Sequence, residues 1–223
     1  MQTRGTINNY AKSSEKFGGV RKCYEGKPEI AVGGFMCAPE LMPAYPNAMA
    51  AGTLVFYDEK KDGRTIVPLY TFKVKSVDAS NSTITVEKFE TGTVAKVGMK
   101  LIVVGDDLTQ AADNVATVTA IDSSSADVDV LTVDNVAADS TPFVAEGDVL
   151  AEAKSGTDKK VKVIPNGLTY CDNRLDPDAY AIDIDPVYFC IRPVLERRMP
   201  PMTASLKKAL RENGCYFNFS PRV

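Results

Sequence analysis

Three short segments recur in the same order between residues 74 and 153, and this approximate repeat constrains the fold more than any other feature of the chain. Val74-Lys-Ser-Val77-Asp78 matches Val118-Thr-Ala-Ile121-Asp122, Ile84-Thr-Val86 matches Leu131-Thr-Val133, and Val97-Gly98-Met-Lys-Leu101 matches Glu146-Gly147-Asp-Val-Leu150. The offsets grow from 44 to 47 to 49. Insertions in exposed loops produce that drift, because strands must keep register while loops tolerate extra residues. Each unit reads as strand, Asp/Ser turn, strand, glycine turn, strand. Two such units bury one another's apolar faces in a small barrel or sandwich.

The flanking sequence has different grain. Residues 1–50 are rich in Gly, Pro, Asn and Ala, with Gly18-Gly19, Gly33-Gly34 and four prolines breaking any sustained period. They read as an extended N-terminal arm. Its aromatic residues are anchors that lie across another surface, either the chain's own domain or a neighbouring subunit. From Gly52 onward, Thr53-Leu-Val-Phe-Tyr57 and Thr65-Ile-Val67 flank Asp62-Gly63 and predict a hairpin. Later strands are expected at Val161–Ile164, ended by Pro165-Asn-Gly167, at Tyr180–Asp185, at Val187–Ile191 and at Cys215–Phe219. One short helix follows Pro200-Pro201, with Thr203 as its cap, Leu206, Ala209 and Leu210 as its apolar stripe and Gly214 as its stop. The expected fold is mainly β: an arm over 1–50, a β base from 51–73 and 154–223 carrying the C-terminal helix, and a protruding repeated β-barrel or sandwich module over 74–153.

Composition limits the chemistry. The 223 residues contain no histidine, which removes the commonest neutral-pH general base and the commonest metal ligand. Five dispersed cysteines (Cys23, Cys37, Cys171, Cys190, Cys215) form no CxxC pair and read as reduced, buried thiols. No phosphate-binding glycine motif is present, and neither a Ser-His nor a Cys-His pair can exist within the chain. Asp183 and Asp185 share one face of an expected strand, roughly 7 Å apart, a spacing that a two-carboxylate hydrolase could use; the plainer reading is an outward polar face opposite Ile182 and Ile184. Asp106-Asp107, Asp127 and Asp129 could bind calcium but lack the twelve-residue loop pattern. No cofactor, catalytic residue or metal site is expected. No apolar run approaches the roughly 20 residues of a spanning helix, and Met1-Gln-Thr-Arg-Gly leads into no apolar signal core, so synthesis in the cytoplasm without membrane contact is expected.

Charge is distributed unevenly. Residues 1–27 hold six Lys/Arg against two Glu and residues 192–223 hold seven against two, whereas Leu101 to Ala153 contains eleven Asp/Glu and no Lys or Arg. The acidic middle reads as a solvated surface and argues against a nucleic-acid groove; the basic ends suit docking on an acidic partner. Phe17, Tyr24, Phe35 and Tyr45 are the candidate docking anchors, with Arg4, Arg21 and Lys22 for an acidic rim. Packing in the chain's own core is the competing role for the four aromatics.

The Gly52-Thr-Leu-Val-Phe opening, the repeats ending in Val97-Gly-Met-Lys-Leu101 and Glu146-Gly-Asp-Val-Leu150, and the closing Pro200 to Phe219 segment resemble head proteins of tailed bacteriophages, of the auxiliary, decoration or head-fibre class. The resemblance covers about 170 residues and is one of layout. It implies a non-enzymatic virion protein on the capsid exterior, whose arm and β base grip the major capsid protein while a β module projects, assembled with itself as a dimer or trimer. A cell-surface or carbohydrate-binding β module is the alternative, disfavoured by the absence of Trp for stacking on sugar rings.

Overall fold

The computed structural model describes residues 23–59, 64–138 and 141–221. In chain order these form β1 (Glu29–Ile30), β2 (Phe35–Cys37), β3 (Leu54–Asp58), β4 (Thr65–Leu69), β5 (Thr71–Asp78), β6 (Thr83–Glu87), β7 (Lys100–Val103), β8 (Ala116–Asp122) and β9 (Val128–Val133). There follow β10 (Ala137–Ala138), β11 (Thr141–Pro142), β12 (Val149–Glu152), β13 (Gly167–Thr169), β14 (Ile182–Ile184), β15 (Pro186–Leu195), the helix α1 (Ala204–Glu212) and β16 (Tyr216–Ser220). The fold is mainly β with one α-helix among the described residues, as the sequence predicts.

Six strands close into a barrel in the order β12-β5-β6-β9-β8-β7, and the sequence repeat is its internal two-fold symmetry. Strands β5 and β6 pair through Val74 with Val86, then, past a bulge, Ser76 with Thr85, Val77 with Ile84 and Asp78 with Thr83. Strands β8 and β9 repeat this ladder, bulge included: Val118 with Val133, Ala120 with Thr132, Ile121 with Leu131 and Asp122 with Val130. The closing contacts obey the same operation, since Leu101 opposes Ala116 and Leu150 opposes Phe72. Both turns entering the third strands use a glycine in the left-handed region, Gly98 at φ 87° and Gly147 at φ 89°. Equivalent side chains fill the barrel: Val74 and Val118, Ile84 and Leu131, Val86 and Val133, and Leu101 and Leu150 are all buried. The growth in offset falls in the loops, at the β8–β9 tip and in the connection carrying the β10–β11 pair.

Apart from the separate β10–β11 pair, the remaining strands form the base sheet, ordered β1-β15-β13-β3-β4-β2-β14, with β16 also on β15. Each face carries its own core. Phe35, Cys37, Val55, Ile66 and Ile184 join the core that continues into the barrel, while Leu54, Leu69, Leu168, Val187 and Cys190 pack with Leu206, Ala209 and Leu210 of α1. The helix has the expected boundaries: the Leu206 amide donates to Thr203 Oγ1 at 3.3 Å, and Gly214 lies at φ 82°.

One local expectation needs correction. Val161–Ile164 is not a strand; Val161 makes a single bridge to Ala153, and the chain enters the sheet only at Gly167, a residue expected to end a strand. Pro165 has no amide to donate, and the Asn166 side chain takes up the backbone of Tyr57 instead, accepting from its N–H and donating to its C=O, both at 2.8 Å. The described part of the expected arm, residues 23–50, lies on the chain's own domain, one of the two surfaces expected for it, and residues 1–22 lie outside the described residues. Strand β1 lies on β15, and β2 lies between β4 and β14.

Candidate docking face on the base

Both described ends of the chain meet at one residue. On one side of β15, the Leu195 amide donates to the Cys23 carbonyl at 2.8 Å, Tyr24 bridges to Val194, and the Glu25 amide donates to Pro193 O at 3.0 Å. On the other side Ser220, the last residue of β16, pairs with Leu195 in parallel register. Residues 1–22 and Arg222-Val223 therefore connect to the fold on either flank of Leu195. Strand β15, α1 and β16 form a strand-helix-strand crossover, which is the connection parallel pairing requires. That topology brings the C-terminal end alongside the N-terminal one.

The surface around this point is apolar and cationic. Phe189 and Tyr216 are register partners with ring centroids 5.6 Å apart. Ile191, two residues along β15, is 68% exposed and Tyr216 is 52% exposed. Arg192, Arg197, Arg198 and Arg211 are exposed nearby. Lys207 pairs with Glu196 at 2.7 Å and lies 5.3 Å from the Phe219 ring centroid. Exposed Ile191 and Tyr216, with exposed Arg side chains on β15 and α1, resemble the anchors of protein interfaces. Sequence reasoning missed Phe189, Ile191 and Tyr216, because an apolar run such as Val187–Ile191 reads as buried throughout. The bulge between Cys190 and Pro193 turns part of that run outward.

The anchors named from the sequence divide differently. Phe35 is fully buried, edge-on to Tyr57 at 5.0 Å, and Tyr24 is buried with its hydroxyl donating to Thr169 O at 2.8 Å. Both serve the chain's own core. Burial first, and then the neighbouring thiols of Cys23 and Cys190, hold the Tyr24 hydroxyl well above its ordinary pKa. Tyr45 is 54% exposed, with the Arg174 guanidinium 5.1 Å from its ring centroid. Phe17, Arg4, Arg21 and Lys22 lie outside the described residues.

Candidate chemistry elsewhere resolves into structural roles. Asp183 and Asp185 are exposed on either side of buried Ile184, an outward polar face. Asp129 is buried, 3.3 Å from Lys88 Nζ, and accepts from Thr93 Oγ1 at 3.0 Å. Asp107 accepts from the amide and hydroxyl of Thr109, and these bonds lower its pKa. Burial pushes the Cys37 thiol up to about 12 and the Cys215 thiol up to about 11, so neither supplies a thiolate at neutral pH. Among the described residues no group of three or more His, Cys, Asp or Glu side chains is arranged to hold a metal ion, and no helix is long and apolar enough to cross a membrane. A cavity of about 490 Å³ lies between barrel and base, walled by Phe72, Phe89, Met199 and Pro201, with the buried Thr91 hydroxyl unpartnered beside it.

Compared with known proteins, the chain matches no family model, no curated protein and no solved structure.

Proposed function

We propose that this chain is a non-enzymatic structural subunit of a tailed-bacteriophage head, an auxiliary, decoration or head-fibre-type protein seated on the outside of the major capsid protein lattice. The observation that carries the reading is the meeting of both described chain ends on the two flanks of Leu195, beside exposed Ile191 and Tyr216 and half-buried Phe189. Cations and apolar anchors gathered at one place suit docking on an acidic protein surface, where charge steers the encounter and desolvated aromatic residues slow dissociation. The barrel carries the opposite charge: the run from Leu101 to Ala153, with no Lys or Arg, supplies β8, β9, β12 and all of β7 after Lys100. An acidic surface is repelled by an acidic lattice, so the barrel is the projecting module and the base the gripping one.

Self-association as a dimer or trimer on the lattice adds avidity without new contacts, and the protein resides on the virion exterior after synthesis in the host cytoplasm. The test is co-sedimentation of purified chain with capsids of the source phage. The full chain is expected to co-sediment and a chain lacking residues 1–22 to lose most of its binding. Equal binding by both, or none by either, contradicts the proposal.

A further inference from the structure

We infer that the outer edge of β16 is a strand-addition site for an extended, acidic segment of a partner protein. The inference rests on the reading of the base as the docking side and names what that side would grip. Three strands of the base sheet have a single neighbour among the described residues, β1, β14 and β16, and they differ in kind; β1 is only two residues long. Strand β14 is three residues long, carries exposed Asp183 at its centre and is followed by Pro186, features that blunt an edge against pairing. Strand β16 is five residues long, pairs only with β15 among the described residues, and has neither a charged residue nor a proline within it. Its edge is unprotected by sequence, and unpaired main-chain donors and acceptors on such an edge template another strand.

The space beside that edge is already shaped. A cavity of about 340 Å³ runs along it, lined by the consecutive residues Tyr216, Phe217, Asn218 and Phe219 on one wall and by Lys207, Leu210 and Arg211 of α1 on the other. Consecutive strand residues lining one cavity place it against the strand's edge, because alternate side chains point to opposite faces of a sheet. Five residues span about 17 Å, enough for a short added strand. Its chemistry follows from the far wall. Glu196, the one acid lining the cavity, is held by Lys207, whereas Arg211 is exposed with no carboxylate partner among the described residues. Main-chain bonds would supply affinity, Arg211 would select an acidic side chain, and Leu210 with the Phe217 and Phe219 rings, 5.7 Å apart, would receive an apolar one.

The test uses the isotopically labelled full chain titrated with the peptide acetyl-Asp-Val-Asp-Val-Asp-Val-amide, read by amide chemical shifts. Saturable shifts at Tyr216–Ser220 and along the last two turns of α1 are expected, weakened about tenfold by Arg211→Glu and abolished when alternate peptide amides are N-methylated. Arg211 is exposed, so the variant folds. Absence of shifts, shifts confined elsewhere, or binding that survives N-methylation overturns the inference. A chain that binds the peptide but is missing from phage particles overturns the virion reading alone; a chain present in particles whose β16 amides ignore the peptide overturns the edge alone.

Discussion

Val74 and Val118 occupy one structural position twice: the Gly147 amide donates to the Val74 carbonyl at 2.9 Å, and the Gly98 amide donates to the Val118 carbonyl at 2.7 Å. Each valine in turn donates the same return bond, Val74 N–H to Asp148 O and Val118 N–H to Met99 O, both at 2.9 Å. Each repeat therefore closes the other's third strand, and neither half completes its ladder alone.

The two glycines give this symmetry an energetic test. A Cβ added at Gly98 or Gly147 meets nothing within 4 Å, so substitution costs only the left-handed backbone conformation. Gly98→Ala and Gly147→Ala are each expected to destabilise the protein by about 1–2 kcal/mol, and by equal amounts. Chemical denaturation of both variants measures this; a large inequality would mean that the halves are not energetically equivalent.

A second prediction concerns the place where the halves differ. Glu152 occupies in β12 the position that Val103 occupies in β7, and its carboxylate is held by Lys162 at 2.7 Å while Oε2 has no partner. Lys162→Met is expected to destabilise by about 3 kcal/mol, because it leaves a carboxylate stranded in a largely buried site. Adding Glu152→Val, which restores the apolar residue of the first repeat, is expected to recover most of that loss. Thermal and denaturant unfolding of the single and double variants decide the matter.

The candidate anchors separate by the same measurement. Phe35→Ala removes a fully buried ring and is expected to cost about 3–5 kcal/mol. Tyr45→Ala removes an exposed ring and is expected to change stability by less than about 1 kcal/mol. If Tyr45 contacts a partner, its loss appears in binding and not in folding. Equal destabilisation by the two variants would contradict the placement of Tyr45.

Alkaline pH should unfold the protein through its thiols. Cys37 and Cys215 are pushed by burial from the ordinary value of 9.0 to about 12 and about 11. The native state holds these protons while the unfolded chain releases them from about pH 9 upward. Their contribution to stability is therefore fully present below pH 9 and is lost as pH rises toward 11–12. Denaturation midpoints under reducing conditions should fall across that window, and less steeply in Cys37→Ala than in the unmodified chain. A flat profile would contradict the burial of these thiols.

The barrel was legible because its signal is long: eight core positions recur in pairs, and loop insertions shift the matches without scrambling their order. The helix was legible for a local reason, as Thr203, the Leu206/Ala209/Leu210 stripe and Gly214 each act within a few residues. The base was harder to read. Strand β2 offers only Phe35-Met-Cys37 as alternation, too short to stand above chance, and its strand character comes from β4 and β14 on either side. Asn166 serves as a ladder partner through its side chain, which no periodicity records. The candidate docking face has no local sequence signal, because it depends on a bulge in β15 and on a parallel pairing between segments separated by a helix.

The most direct test of the proposed virion role is the copy number of this chain in purified phage particles induced from the source genome, measured by quantitative mass spectrometry against the most abundant shell protein. The account predicts many copies per particle in a fixed ratio to that protein, with loss of incorporation when residues 1–22 are deleted. A chain absent from particles, or present only in trace and variable amounts, would contradict it.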